Sequence, residues 1–325
     1  MPRKSALLGF ALFMALVAIG TEDASSQSYP ARNITLVVPV APGGGDDYVA
    51  RLFASKLTER LGKTVIVENR AGAGGVIGVS SVTKVPADGY TLLLFGNSHV
   101  ANQYLRQPAP YDVQRDFTPI SMFITAPLLL ISQPSFQAKT LPDLVALSKA
   151  DPDKFTYGSP GQGTTFHLAI EALNKAAGIK LRHVAYRGSS PSITDLLAGQ
   201  ISLIVASYGA TKSQLEAGLL RAIGTSSPKR SPVLPDVPTF AESGYPQADV
   251  ESNTGIVAPA GTPREIILRL SNEIQEIAKE PEVRKKLIEL GWNVVASTPE
   301  VHGEFIKQDS EKLKKLISDL GLVEQ

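Results

Sequence analysis

The stretch ITLVVPVAPGGGDD, residues 34–47, decides how this chain is to be read. Its first half, Ile34–Val40, is apolar almost throughout, as a strand covered on both faces of a parallel sheet tends to be. It runs through Ala41 and Pro42 into Gly43, Gly44 and Gly45. Beyond Asp46 and Asp47, Val49, Leu52, Phe53, Leu57 and Leu61 recur at helical spacing until Gly62 supplies a stop. The same grammar then repeats. Thr64–Val67 reads as a strand, a glycine-rich turn at 68–75 leads into a helix to about Lys84, and Tyr90–Phe95 is a third strand ending in Gly96-Asn97-Ser98-His99. This βαβαβ order implies a parallel sheet with right-handed crossovers.

A second α/β unit follows. Pro127–Ser132 is strand-like, and Thr140 to Asp143 resembles a capping box opening a helix to about Ala150. Phe155–Ser159 is a short strand meeting Pro160-Gly161-Gln162-Gly163-Thr164-Thr165, and the helix beyond buries Phe166, Leu168, Ala169, Ala172 and Leu173. Strands at Val184–Tyr186, Leu203–Ala206 and Leu219–Gly224 alternate with helices around Ile193–Leu197 and Lys212–Ala217. Ser226–Pro246, rich in proline and serine, reads as a long surface connection. A strand at Ile256–Ala258 and helices near Pro263–Lys279, Glu282–Leu290 and Pro299–Leu320 complete the chain.

Composition bounds the class. A chain of 325 residues, 43% hydrophobic and 19% charged, is long enough for two domains and too apolar for intrinsic disorder. The net charge of +1 argues against a nucleic-acid partner. The absence of cysteine excludes disulfides, thiolate zinc sites, cysteine nucleophiles and an N-terminal lipidated cysteine. Arg3 and Lys4 precede an apolar run, Ala6–Ile19, with small residues near 24–26. That pattern reads as a secretory signal peptide over residues 1–26, because the run falls short of the ~20 residues of a spanning helix. The mature protein is expected outside the cytoplasm.

The two glycine-rich turns, at 42–47 and 159–165, are the candidate site. Glycines let backbone N–H groups converge, and the following helix N-terminus adds partial positive charge, so such a turn holds an anion without an arginine. Taken singly, each is equally well a tight turn that needs positive φ. One in each half favours a ligand clamped between domains, beyond the carboxyl ends of the strands. Asp46 and Asp47 more often cap a helix than bind a cation. His167, one turn into its helix, either faces a ligand or packs as a hydrogen-bonded core histidine. Enzyme signatures fail. Neither Gly43-x-Gly45 nor Gly72-x-Gly74 completes a dinucleotide fingerprint, no P-loop lysine follows, and Gly96-Asn97-Ser98-His99-Val100 is not a nucleophile elbow. The four histidines show no metal-ligand spacing. The rival reading is a secreted enzyme acting on a small carboxylate through Asp46, Asp47 and His167.

Five separated blocks carry a family resemblance: the start through VENRAGAGGVIG, then DGYTLLL, YGSPGQGTTFHLAIE, VAYRGSSPSITDLLAGQIS and LPDVPTFAESGYP. Together they resemble the solute-binding receptors of tripartite tricarboxylate transporters, the Bug or TctC family, over nearly the whole mature chain. The resemblance implies an α/β, two-lobed periplasmic-binding-protein fold of the type II, Venus-flytrap kind, with a central parallel-rich sheet in each lobe. Lobe one would comprise residues 27–126 and 251–325, and lobe two 127–250. It further implies capture of a small organic carboxylate, delivery to the membrane permease subunits of such a transporter, a monomer, and no cofactor or metal. Carried over, Gly43, Gly44, Gly45, Asp46 and Asp47 form the first clamp, Ser159, Gly163, Thr164 and Thr165 the second, and Ser98 lines the cleft. Two departures bear on the ligand. Asp46 stands where relatives commonly have a neutral residue, and Ala206-Ser207-Tyr208 stands where many carry an Asp-Asn pair. Asp46, if it faces the cleft, repels a second carboxylate and favours a hydroxyl or ammonium, and Tyr208 adds an aromatic wall. A monocarboxylate, aromatic or hydroxylated, is therefore expected in preference to citrate.

Overall fold

The computed structural model describes residues 29–323; the expected signal peptide, residues 1–26, lies outside them, and every element below belongs to the compact unit that begins at Arg32. In chain order these are β1 (Ile34–Val38), α1 (Gly45–Leu61), β2 (Val65–Asn69), α2 (Val76–Val82), β3 (Thr91–Phe95), α3 (Asn97–Leu105), β4 (Phe117–Ala126), β5 (Leu128–Ser132), α4 (Leu141–Ala150), β6 (Thr156–Ser159) and α5 (Thr165–Ala177). There follow β7 (Arg182–Ala185), α6 (Ser189–Leu197), β8 (Leu203–Ser207), α7 (Tyr208–Glu216), β9 (Arg221–Thr225), β10 (Ser252–Pro259), α8 (Arg264–Lys279), α9 (Pro281–Glu289), β11 (Asn293–Val294) and α10 (Pro299–Leu320). No helix among the described residues is long and apolar enough to cross a membrane.

Two sheets organise the chain, one of order β11-β4-β10-β3-β1-β2 and one of order β7-β6-β8-β5-β9. The expected parallel strands are present: β1 pairs in parallel with β2 and β3, and β6 with β7 and β8. The remaining strands run antiparallel, so each sheet is mixed and only partly parallel. The route between the sheets explains the change of direction. Only Pro127 separates β4 from β5, so one extended run leaves the first sheet and enters the second. The chain returns through Ser226–Glu251 into β10, which lies between β3 and β4 and opposes both.

β4 is the longest strand, and its composition hides it. Pro119 and polar Thr118 and Ser121 interrupt the apolar pattern, and a proline normally argues against an interior strand. Here the ladder shifts register beside Val257, which pairs with Pro119, and the irregularity accommodates the ring. The connection read as a surface loop is also anchored. Phe240 is fully buried, its N–H donates to Thr225 O at 2.8 Å, and Ser226 Oγ donates to Val250 O at 2.6 Å. Its lack of periodicity reflects successive turns held by one aromatic anchor.

The capping box at α4 is formed: Thr140 Oγ1 accepts from Asp143 N–H, and Asp143 accepts from Thr140 N–H. One apolar cluster joins β5, β6 and β8 to α4 and α5, with Tyr157 and Leu173 fully buried. Another joins β1, β3 and β10 to α3 and α10, and it includes Leu168 of α5. The C-terminal helix α10 touches both clusters through Leu316. Packing thus brings the starts of α3 and α5 together.

Candidate functional site

The first glycine turn works because its side chains are few. Gly43 sits at φ +89°, in the region that favours glycine, and Gly44 precedes α1 in an extended conformation. Asp47 closes the turn from inside. Its carboxylate accepts from Gly43 N–H at 3.0 Å and Arg51 Nε at 2.9 Å through one oxygen, and from Asn69 Nδ2 at 2.8 Å through the other. Burial alone would raise its pKa, but these three donors outweigh it and hold the group below the usual carboxylate range. With its lone pairs so occupied, Asp47 is a latch that aims the turn. The N–H groups of Gly44, Gly45, Asp46 and Asp47 have no acceptor among the described residues. They are free donors at the start of α1, where the helix end favours negative charge.

Asp46 has a different fate from its neighbour. Its Oδ1 accepts from Thr254 Oγ1 at 2.7 Å. Thr254 belongs to β10 and lies next to Gly255, which pairs with Phe95 at the end of β3. Asp46 therefore reaches across the carboxyl end of β3, beside the start of α3. It is half-buried, and loss of water lifts its carboxyl above the ordinary value against the bond from Thr254.

The second turn is more self-contained. Ser159 is fully buried, with Oγ 2.7 Å from His183 Nε2 and hydrogen bonds to Gly161 N and O. Gly163 N–H donates to His167 Nδ1 at 3.3 Å, and Thr164 caps α5 by accepting from His167 N–H. The His167 ring lies 4.2 Å from that of His183, and burial lowers both to about 4. Of the two readings of His167, the geometry matches the packed one: a neutral ring accepts a backbone N–H and braces the turn from behind. The member that meets the other sheet is Thr165, itself fully buried. Its N–H donates to Ser98 Oγ at 3.1 Å, and its own Oγ1 lies 3.2 Å from the same hydroxyl. The starts of α3 and α5, carried by different sheets, thus meet through one hydroxyl.

Aromatic residues wall one side. Ser207 precedes α7, and Tyr208, largely buried, donates from its hydroxyl to Glu216 Oε1 at 3.2 Å. The Tyr208 ring packs so closely on Gly291 that a Cβ there would lie 2.9 Å from Tyr208 Cβ. The next residue, Trp292, stands 3.2 Å from where a Cβ of Gly45 would be, and its ring centroid is 6.1 Å from that of Tyr48. Gly45, Trp292, Gly291 and Tyr208 therefore link the first turn to the second sheet.

Comparison with known proteins now decides the family. The model of the tripartite tricarboxylate transporter family receptor matches residues 49–322. The chain belongs to that receptor family. A UPF0065 protein in the tcbD-tcbE intergenic region of Pseudomonas sp. (strain P51) is 37% identical over 98% of this chain and 95% of its own. The R. palustris protein Rpa4515, solved with adipate, superposes with a TM-score of 0.85 at 33% identity, covering 90% of this chain and 98% of its own. MatC from Rhodopseudomonas palustris, with bound malate, gives 0.83 at 29% identity over 89% and 100%.

In this receptor Ser98 meets Thr165, and Gly45 of the Gly43–Asp47 turn lies against Trp292, whose neighbour Gly291 packs on Tyr208, directly after Ser207. Ser159, Gly163, Thr164 and His167 stand behind Thr165 as its support. Sequence reading missed Thr254 and Trp292. Thr254 lies outside the apolar run by which β10 was read, and its relation to Asp46 spans 208 positions. Trp292, the single tryptophan, directly follows Gly291, and that pairing was the available signal. Asn102 was also missed: fully buried, it donates to Gly74 O at 2.8 Å and borders Gly163.

Proposed function

We propose that this solute-binding receptor of the tripartite tricarboxylate type captures its small organic carboxylate between the first turn, Gly43–Asp47, and the Ser98–Thr165 junction. It is exported to the periplasm, returns its ligand unaltered, and delivers it as a monomer to the two membrane permease subunits. The observation that carries the reading is the Ser98–Thr165 bond. A hydroxyl from one sheet accepts a backbone N–H at a helix start on the other, which is where a carboxylate oxygen would bind. The unpaired amides of Gly44–Asp47 supply the opposing jaw. Relatives solved with adipate and malate support a carboxylate of this size.

Binding here needs no bond-breaking. Closure of the two lobes over the anion excludes water and strengthens each N–H···O bond. The enzyme reading loses support, because Asp47 is held by three donors and His167 is a neutral ring packed on His183. A thermal-shift screen of the purified protein against a carboxylate panel tests the proposal, since ligand bound only to the native state raises the melting temperature. Calorimetry and recovery of the ligand should follow for each hit. Stabilisation by at least one carboxylate, recovered unchanged, is expected; a converted product would instead establish the enzyme.

A further inference from the structure

Asp46 presents a charge that the family function does not explain. Its side chain bridges from the turn after β1 to Thr254 on β10, and β3 lies between those strands. Neighbouring strands are about 4.8 Å apart, so the bridge closes over roughly 10 Å of sheet edge. Thr254 lies between Gly255, paired with Phe95, and Asn253, bonded to Asn97, so the carboxylate sits between the starts of α1 and α3. One oxygen receives the Thr254 hydroxyl. Among the described residues no cation pairs with Asp46, in contrast to Asp47 with Arg51 beside it. Evolving a site for a simple anion around an uncompensated carboxylate is self-defeating, because two like charges in a partly desolvated cleft repel. The charge is accounted for if the ligand brings its own cation.

We infer that Asp46 selects a ligand bearing a protonated amine close to its carboxylate, the amine pairing with Asp46 while the carboxylate meets the amides beside Ser98 and Thr165. This rests on the carboxylate-capture reading above and adds the chemical class: an amino acid or related amino carboxylate. Pairing with a half-buried carboxylate is a strong discriminator, since a ligand lacking the amine leaves that charge unmatched. The Thr254 bond holds Asp46 in place beforehand, so little side-chain freedom is lost on binding.

The test uses matched pairs that differ in one amine: alanine and propionate, aspartate and succinate, glutamate and glutarate, phenylalanine and 3-phenylpropionate. Each is titrated calorimetrically into the mature protein near neutral pH. The tightest-binding pair should favour the amino member by tenfold or more. Asp46→Asn keeps the shape and the acceptor for Thr254 but removes the charge, and should cut that preference at least tenfold while leaving the ligand-free melting temperature within a few degrees. Asp46→Thr provides a second, smaller variant with the same expected loss of preference. Equal or tighter binding of the unaminated acids to the wild type overturns the inference and leaves carboxylate capture standing, as does a preference that survives both substitutions. If no member of any pair, nor any simple carboxylate of the panel, binds, the capture reading fails and takes the inference with it.

Discussion

Replacing Asp47 by alanine tests whether the first turn is built by a latch or by a ligand. The substitution removes one buried carboxylate and three accepted hydrogen bonds. The donors fare differently. Arg51 is about half exposed and rehydrates, so its loss adds little. Gly43 is exposed, and its N–H turns to water. Asn69 Nδ2 keeps Val40 O at 3.1 Å. Losing the Asn69 and Gly43 bonds costs about 1 kcal/mol each, and losing an acid in the first turn of α1 adds roughly 0.5 kcal/mol. The sum is about 2–3 kcal/mol. For a chain of this size that lowers the melting temperature by roughly 4–12 °C, measured without ligand. Carboxylate affinity should fall too, because the released turn no longer aims its amides. The stability term also has a direction in pH. Asp47 titrates below its unfolded value, so its contribution is present above about pH 4 and is lost as pH falls through the folded pKa. A variant that melts within a degree of the wild type yet binds no carboxylate would refute the latch, and Asp47 would then be a ligand contact.

Three further outcomes are expected. Ser98→Ala removes the acceptor for Thr165 N–H, worth about 1 kcal/mol, and should shift the ligand-free balance between lobes about fivefold toward separation; small-angle scattering with unchanged dimensions would count against a bridging role. His302 is buried, its Nδ1 has no partner among the described residues, and its pKa is lowered to about 4 by burial. The unfolded chain takes up this proton first, so stability is lost as pH falls from 6.5 toward 4, by up to about 1.4 kcal/mol per unit; His302→Gln should flatten that slope, and identical profiles would dismiss the idea. Trp292, lying against Gly45 and near Tyr48, should change its fluorescence emission when a carboxylate fills the cleft; a constant spectrum at saturation would place the ligand elsewhere.

Much of the architecture was readable from local pattern. The apolar Ile34–Val38, the spacing of Val49, Phe53 and Leu57, and the Thr140–Asp143 box each report a physical demand satisfied within a few residues. β4 was not readable, because Pro119 and its polar neighbours are tolerated only by an irregular ladder with β10, a partner more than a hundred positions away. The start of α3 was hidden for a similar reason: Asn97 exchanges hydrogen bonds with Asn253, and nothing in the GNSHV run announces that partner. At the site, the sequence marked both turns but could not separate the roles of their members. His167 and Thr165 lie two residues apart, yet one ring braces the turn while the other N–H faces the opposite sheet.

By itself the sequence determined the two α/β units, the glycine turns at strand ends, and the helix starts that make an anion site, since these depend on backbone preference and on the neighbours of each residue. Tertiary structure alone decided which of two adjacent aspartates is a latch and which bridges to β10. Asp47 finds Arg51 and Asn69, whereas Asp46 crosses β3 to Thr254. Both have the same side chain at the same helix start; their charges differ in meaning only because folding surrounds one with donors and leaves the other nearly unmatched.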